Sequence, residues 1–310
     1  MPPKTLRRTL TLAGLEVPAV ELAGAADGPR LTVLAGVHGC EYAPMAAVRR
    51  WTRGLEEREL RGSVVAVPVL NLPAFRARSP FVVPEDGKNL NRCFPGNPAG
   101  TLAERLAHAT FTQLIVGSEA LIDMHAGDMV EALEPFVLYD AGPGEARARE
   151  LATAYGLGYV IRQEPGPDRA VGGTTSAAAA SAGIPAIIAE AGGCGLVEPA
   201  AVDAHVCGLD RVLALLGMAD DPAAGAGPDR PPPTQLRRFL WLRCDDEGWW
   251  EPAVRPGEAV AQGQPLGTVS SIDGAQVLQT ITAPAAGVSL FVTSSPAVAA
   301  GGLLLGLGAS

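Results

Sequence analysis

Short apolar runs that are typical of buried strands alternate with helical patterns from residue 31 to residue 216. This alternation predicts an α/β fold in which a largely parallel sheet is covered by helices on both faces. Pro68 argues weakly against the second predicted strand, because proline has no backbone N–H to donate to a neighbouring strand. The predicted strands are 31–35, 63–70, 120–124, 159–162 and 185–189, and the predicted helices are 41–55, 102–116, 145–155, 174–182 and 202–216.

A segment rich in proline and glycine interrupts this pattern at 220–235. Repeated Pro and Gly disfavour regular structure, so we interpret the segment as a linker. Beyond it, short β runs are separated by Gly, Pro and Asp turns, and two stretches, 253–267 and 294–306, resemble one another. We therefore expect an α/β domain at 1–219, a linker at 220–236 and a small all-β sandwich with internal pseudo-symmetry at 237–310.

The chain is acidic, with a net charge of −9 and an isoelectric point of about 5.0. A chain of this charge has no electrostatic footprint for nucleic acid or an anionic membrane, so neither partner is expected. No stretch approaches the ~18 apolar residues of a membrane span, and the N-terminus lacks the apolar core of a signal peptide. The five scattered cysteines form no CxxC pair, which fits a reducing cytoplasm. We expect a cytoplasmic protein that binds any anionic substrate through local arginines.

Two of the four histidines follow predicted strands. His38 comes just after the first strand, with Glu41 three residues later, and His125 ends the third strand. Ligands of open α/β sheets bind beyond the carboxyl ends of the strands, so these side chains are expected at one rim. Two imidazoles and one carboxylate leave one position open on a tetrahedral zinc ion, as in catalytic sites. Alternatively, both histidines are isolated polar residues in loops.

Glu190 ends a further apolar run and is expected at the same rim. A carboxylate in that position costs free energy unless it has a partner or a task. Burial near a metal ion would tune it to act as a general base toward water. The alternative is a salt-bridged glutamate at a strand end.

A polar, turn-rich segment at 86–96 offers the groups that would recognise a carboxylate. Arg92 suits bidentate binding of a substrate carboxylate, and Asn91 can donate a further hydrogen bond. Upstream, Arg76 or Arg78 would stabilise a developing oxyanion. The alternative is that 86–96 is a plain surface turn.

Four segments, in order and at similar spacings, resemble the succinylglutamate desuccinylase/aspartoacylase family, a branch of the zinc carboxypeptidase-like fold. The resemblance extends over about 31–216 and implies a mostly parallel mixed sheet flanked by helices. The segments are His38-Gly-Cys-Glu41, Asn-Leu-Asn91-Arg92-Cys-Phe-Pro-Gly, Asp-Met-His125 and Ala-Glu190-Ala-Gly-Gly.

This resemblance implies one Zn²⁺ per chain, held by His38, Glu41 and His125, and Glu190 as the general base. Asp123, two residues before His125, would then contact a metal ligand without binding the metal itself.

On the substrate side, the resemblance implies that Asn91 and Arg92 bind a carboxylate. Arg78 is similar in position to the family's carbonyl-polarising arginine, with Arg76 as the other candidate. The C-terminal region resembles a lipoyl/biotinyl-like barrel-sandwich domain. Because no lysine follows Lys88, it cannot be a swinging-arm carrier, and a role in shaping the cleft or in assembly is expected.

The sequence departs from the family at three points. Asn89 stands where many relatives have aspartate. Aspartoacylase uses an arginine shortly before its catalytic glutamate and a tyrosine from its C-terminal domain, yet here no arginine lies between Ala170 and Glu190 and no tyrosine follows Tyr159. Arg162 and Arg169 are the candidate substitutes. The acyl group and the amino acid of the substrate therefore stay open.

The expected activity is a zinc-dependent amidohydrolase that removes an acetyl- or succinyl-type group from a small anionic N-acyl amino acid. A metallocarboxypeptidase acting on peptide C-termini would use the same residues and stays open as an alternative. A non-catalytic binding protein on the same scaffold is the second alternative. A homo-oligomer is compatible with the sequence, which leaves the oligomeric state open.

Overall fold

The structure is a computed structural model that describes residues 2–164, 172–220 and 231–309. Its helices are α1 (Tyr42–Leu55), α2 (Leu72–Ala77), α3 (Leu102–Thr110), α4 (Glu145–Tyr155), α5 (Thr175–Ser181) and α6 (Pro199–Leu215), with a 3-10 turn at Leu90–Arg92 and a π-helical turn at Phe111–Ile115. Its strands are β1 (Lys4–Leu12), β2 (Leu15–Ala23), β3 (Ala26–Ala35), β4 (Arg61–Val67), β5 (Ala120–His125), β6 (Glu131–Leu133), β7 (Phe136–Asp140), β8 (Tyr159–Gln163), β9 (Ala186–Glu190), β10 (Thr234–Leu236), β11 (Arg238–Arg243), β12 (Gly248–Pro252), β13 (Ala259–Val260), β14 (Pro265–Ser270), β15 (Val277–Thr282), β16 (Gly287–Thr293), β17 (Ala297–Val298) and β18 (Leu303–Ala309).

A nine-stranded mixed sheet forms the centre of the α/β part, in the order β1-β2-β4-β3-β5-β9-β7-β8-β10. Strands β4, β3, β5 and β9 are parallel neighbours, as are β7, β8 and β10. The β1–β2 hairpin and the β7–β9 pair are antiparallel. The predicted α/β fold with a mostly parallel sheet is therefore confirmed. The strand at 63–70 ends at Val67, one residue before the proline that cannot continue it.

Helices cover both faces of this sheet, and each face has its own apolar core. On one face α1, α4 and α6 pack against the strands through residues such as Trp51, Tyr155 and Leu209, all 2% exposed or less. On the other face α3 and α5 contribute Leu106 and Ala179. Because both faces are covered, the strand ends are the part of the sheet open to a ligand. No helix in the described ranges is long and apolar enough to cross a membrane.

The C-terminal residues form two smaller antiparallel sheets. One has the order β11-β18-β16-β13 and the other β15-β14-β12-β17. Their apolar core includes Trp250, Leu266 and Leu304. Strand β6, from the α/β part, extends the first of these sheets by pairing with β16. The C-terminal strands are thereby fixed beside the carboxyl ends of β5 and β9.

The last three residues of the predicted linker at 220–236 form a strand in the structure. Thr234–Leu236 form β10, which pairs in parallel with the edge strand β8. The free edge of β8 offers unpaired backbone groups, and Leu236 is buried there. Residues 221–230 lie outside the described part of the chain, and the division into 1–219, 220–236 and 237–310 stays a prediction.

Candidate active site

His38 and Glu41 lie on the connection between β3 and α1. Gly36 has a φ of +67°, a conformation that favours glycine and turns the chain sharply after the strand. Gly39 packs so closely on α2 that a side chain there would collide with the backbone of Ala74. Glu41 precedes the first turn of α1, yet its carboxylate caps no backbone group of that helix. The carboxylate is therefore available to the neighbouring imidazoles.

His125, at the end of β5, completes a cluster with His38 and Glu41. The Glu41 carboxylate lies between the two rings: Oε1 is 2.6 Å from Nδ1 of His38 and Oε2 is 2.9 Å from Nδ1 of His125. The ligand atoms of the three residues all lie within 4.8 Å of one another, and all three side chains are buried. The structure thus brings together the three residues expected at one rim.

The second ring nitrogen of each imidazole, Nε2, faces away from Glu41 and has its own acceptor. Nε2 of His38 lies 3.0 Å from the Asn89 side-chain oxygen, and Nε2 of His125 lies 2.9 Å from the Asp123 carboxylate. Such partners fix the ring orientation and direct the Nδ1 lone pairs inward. Two inward nitrogens and a carboxylate are a donor set suited to a divalent ion such as zinc. This cluster can therefore bind a metal ion.

The charges of the cluster are strongly coupled. Burial raises the pKa of Glu41, but the positive charges of His38 and His125 outweigh it and hold the pKa at about 2. Burial lowers the pKa of His125, but the carboxylates of Asp123 and Glu41 raise it well above its usual value. Glu41 is therefore a carboxylate at any physiological pH, and a metal ion binding to His125 must displace a proton.

Glu190 ends β9 directly beside His125, its neighbour in the β5–β9 register. Burial raises its pKa to about 8, and the negative charges of Glu41 and Glu131 act in the same direction, while the charge of His125 opposes them. A carboxyl group with a pKa close to neutrality can both accept and return a proton.

Asn91 and Arg92 come from the 3-10 turn and face the same space. The N–H of Thr175, at the start of α5, donates to the Asn91 side-chain oxygen at 3.0 Å, which turns the Asn91 amide nitrogen toward His125. The hydroxyl of Thr175 donates to Asp123. One residue of α5 therefore positions both Asn91 and the acceptor behind His125, a link that the sequence patterns did not predict.

Arg92 is exposed toward the cavity, and its Nη1 donates to the Asn91 carbonyl oxygen at 2.7 Å. Desolvation lowers the pKa of Arg92, while the nearby Glu190 carboxylate raises it. The Arg92 guanidinium therefore lies close to Glu190, the candidate base. From this position it would bind the carboxylate of a ligand and orient the ligand toward Glu190.

The other candidate arginines lie outside this group. Arg76 and Arg78 are exposed near the end of α2, and neither lines the cavity. Arg162 pairs with Glu145 on α4. Arg169 lies outside the described residues. A role for Arg78 or Arg76 at a substrate carbonyl stays a prediction.

A cavity of about 490 Å³ contains the cluster and extends to the C-terminal strands. Its outer wall is aromatic, built by Phe136, Phe239, Trp241 and Phe291. Glu131 also lines it. These residues carry no functional signal in the sequence, because they come together through the pairing of β16 with β6 rather than through any local pattern.

Comparison with known proteins shows the family to which the chain belongs. The family model described as the succinylglutamate desuccinylase/aspartoacylase catalytic domain matches residues 27–216, more than half of the chain. The chain belongs to the succinylglutamate desuccinylase/aspartoacylase family. The predicted membership is confirmed, and the matched residues include all members of the His38–Glu41–His125 cluster and Glu190.

Individual relatives match between 78% and 99% of the chain. An N-alpha-acetyl-L-2,4-diaminobutyric acid deacetylase from Halomonas elongata is 29% identical over 251 residues, which cover 78% of this chain and 71% of the relative. A succinylglutamate desuccinylase/aspartoacylase structure from Rhodobacter sphaeroides has a TM-score of 0.84 at 24% identity, covering 99% of this chain and 94% of its own. The product-bound ectoine utilization protein EutE (DoeB) from Ruegeria pomeroyi has a TM-score of 0.84 at 22% identity, covering 99% and 95%. These structures share the fold of this chain.

Proposed function

We propose that the protein is a zinc-dependent amidohydrolase that removes an acetyl- or succinyl-type group from a small N-acyl amino acid in the cytoplasm. The observation that carries the proposal is the position of Glu190 beside the His38–Glu41–His125 cluster, inside a cavity that also contains Asn91 and Arg92. Family membership supports it, as does the deacetylase relative, which acts on an N-acetylated diamino acid by its name.

His38, Glu41 and His125 would hold one Zn²⁺, because their donor atoms are close together and the Nε2 nitrogens of both rings are already bound. When present, zinc lowers the pKa of a water molecule and polarises a carbonyl group. We propose zinc on the chemistry of this donor set, two imidazole nitrogens and one carboxylate.

Glu190 would move the protons of the reaction. Its carboxylate takes one proton from water as the oxygen attacks the amide carbon. The same proton is then given to the amide nitrogen as the C–N bond breaks, so that a carboxylic acid and a free amine leave. A pKa near 8 in this environment suits both transfers.

Asn91 and Arg92 would bind the free carboxylate of the substrate and so orient its amide toward Glu190. Arg78 is the residue we assign to the developing oxyanion, with Arg76 as the other candidate. Both are exposed near the end of α2, so either side chain must turn into the cavity to act.

The wall formed by the C-terminal strands favours small substrates over peptide C-termini. The cavity has the volume typical of sites for small molecules, and Trp241, Phe239 and Phe291 line its outer side. A longer peptide would have to pass this wall. The C-terminal region, proposed as a barrel-sandwich domain at 237–310, thereby shapes the cleft.

The test is to incubate the zinc-loaded protein with N-acetyl, N-succinyl and N-formyl amino acids and with short peptides, and to quantify the free amine. Release from an N-acyl amino acid that vanishes in Glu190→Ala supports the proposal and names the acyl group. Release of C-terminal residues from peptides alone would replace it with a carboxypeptidase. Absence of zinc binding, or of any turnover, would count against the mechanism and favour a binding protein.

A further inference from the structure

Three glutamates line the cavity, and the proposed reaction uses only two of them. Glu41 belongs to the metal-binding cluster, and Glu190 is the proposed base. The third, Glu131, makes no ion pair with any arginine, lysine or histidine among the described residues. The only hydrogen bond to its carboxylate within that part of the chain is a long one, from the Asp128 N–H at 3.5 Å.

The backbone holds Glu131 in a fixed place. Its N–H donates to the Asp128 carbonyl at 3.2 Å, and its own carbonyl accepts from Cys194 at 3.0 Å. It pairs with Thr293 of β16, which also lines the cavity. Gly127 and Gly193 approach so closely that a side chain at either position would collide with the Glu131 carbonyl. The carboxylate is therefore presented to the cavity by a rigid segment.

Among the described residues, no cationic side chain forms an ion pair with the Glu131 carboxylate. Burial raises the pKa of Glu131 to about 7, and the nearby Glu41 carboxylate adds to the effect, while the charge of His38 opposes it. The two arginines that line the cavity make contacts elsewhere: Nη1 of Arg92 donates to the Asn91 carbonyl, and Arg243 donates to the Gly301 carbonyl at 2.9 Å. A half-buried carboxylate without an ion-pair partner is stabilised when a ligand brings a positive charge to it.

We propose that Glu131 binds a side-chain ammonium group of the substrate, so that the preferred substrates are N-acyl derivatives of short diamino acids. This inference rests on the deacylase function proposed above. Asn91 and Arg92 bind the α-carboxylate, and Glu131 binds the ammonium group at the other end of the molecule. Hydrolysis then releases a carboxylic acid and the free diamino acid. A second carboxylate in the side chain would meet the Glu131 carboxylate, so aspartate and glutamate derivatives are disfavoured.

The test uses three N-acetyl amino acids of similar size whose side chains differ in charge: 2,4-diaminobutyrate, norvaline and glutamate. Wild type, Glu131→Gln and the matched control Glu134→Gln are compared after zinc loading; Glu134 is three residues away and does not line the cavity. A charged hydrogen bond predicts a kcat/KM about 10- to 150-fold higher for the diaminobutyrate derivative than for norvaline in wild type. Glu131→Gln should remove most of that ratio with little change for norvaline, and Glu134→Gln should keep it.

The outcomes separate this inference from the function on which it rests. If wild type hydrolyses the norvaline derivative as well as the diaminobutyrate one, or prefers N-acetylglutamate, the inference is overturned and the deacylase function stands. An equal loss on all three substrates in Glu131→Gln also overturns it, because that pattern indicates a structural role. If wild type hydrolyses none of them, the function fails, and calorimetry with free 2,4-diaminobutyrate and norvaline decides the inference: tighter binding of the diamino acid, lost in Glu131→Gln, supports it, and equal binding overturns it.

Discussion

His125 and Glu190 are paired in register at the last residues of two neighbouring parallel strands, β5 and β9. Parallel strands end at the same edge of a sheet, so one side chain is directed into the His38–Glu41–His125 cluster while the other faces the same cavity. The candidate metal site and the candidate base therefore depend on a single strand register, which the apolar residues of both strands fix from within the core.

Replacing the base tests this relationship. Glu190→Gln keeps the shape of the side chain but removes the group that accepts a proton. We expect kcat to fall by about 10³-fold, because a positioned general base contributes 10²–10⁴-fold. Zinc content, measured by atomic emission, should stay at one per chain, as in wild type. A variant with normal kcat would exclude Glu190 as the base.

Metal binding is tested with two histidines of different environment. His125→Ala removes a buried ligand from the cluster, whereas His108→Ala changes a half-buried residue of α3 outside it. We expect His125→Ala to lose stoichiometric zinc and His108→Ala to keep it, because one imidazole and one carboxylate hold the ion weakly. A chelator should abolish the activity of wild type, and added Zn²⁺ should restore it. Equal zinc content in the two variants would contradict the assignment.

The two arginines near the end of α2 are separated by a matched pair of substitutions. Arg78→Gln should lower kcat by about 10²-fold, the usual cost of losing one oxyanion donor, while Arg76→Gln should stay near wild type. The reverse result would assign the role to Arg76. If neither change lowers kcat, the oxyanion is stabilised without an arginine from this helix.

The sequence predicted the central strands and the rim residues well, for a physical reason. The second half of β3 and nearly all of β5 and β9 are buried, so these segments are mainly apolar runs, and the polar residues that follow or end them are conspicuous. Strand β7 is equally apolar, but it follows β5 without an intervening helix and runs antiparallel to β9, so the alternation of strands and helices did not predict it.

The sequence patterns predicted neither the β1–β2 hairpin nor the cavity wall, and the reasons differ. β1 is largely exposed and its mixed polar sequence has no strand signal of its own, since it is stabilised by pairing with β2. Trp241, Phe291 and Glu131 are far apart in sequence and meet only because β6 pairs with β16. Long-range pairing of this kind leaves no local pattern, which is why these lining residues could be identified only from the structure.

A buried histidine behind the site predicts how stability depends on pH. His205, on α6, is fully buried between Tyr155 and the backbone of Ala191: Nε2–H donates to the Ala191 carbonyl at 3.1 Å, and Nδ1 lies 2.8 Å from the Tyr155 hydroxyl. Desolvation lowers the pKa of His205 to about 4, from an ordinary value of 6.5. The ring is therefore neutral in the folded protein, and acid must place a charge on it in a fully buried site.

Because the pKa is lower in the folded state than in the unfolded chain, the contribution of His205 to stability is complete above pH 6.5 and is lost as the pH falls toward 4. Between pH 7.5 and 4.5, we expect the free energy of unfolding of metal-free wild type to fall by about 2–3 kcal/mol more than that of His205→Gln. Urea titrations at both pH values measure this difference, with His108→Gln as the control that should follow wild type. His205→Gln is expected to be less stable than wild type at pH 7.5, since it loses both hydrogen bonds. The informative quantity is therefore the difference in free energy of unfolding between wild type and this variant, which should become smaller in acid. A difference that stays constant between the two pH values would mean that His205 has the same pKa in the folded and unfolded protein. The neutral imidazole would then not be what holds the backbone of Ala191, next to Glu190.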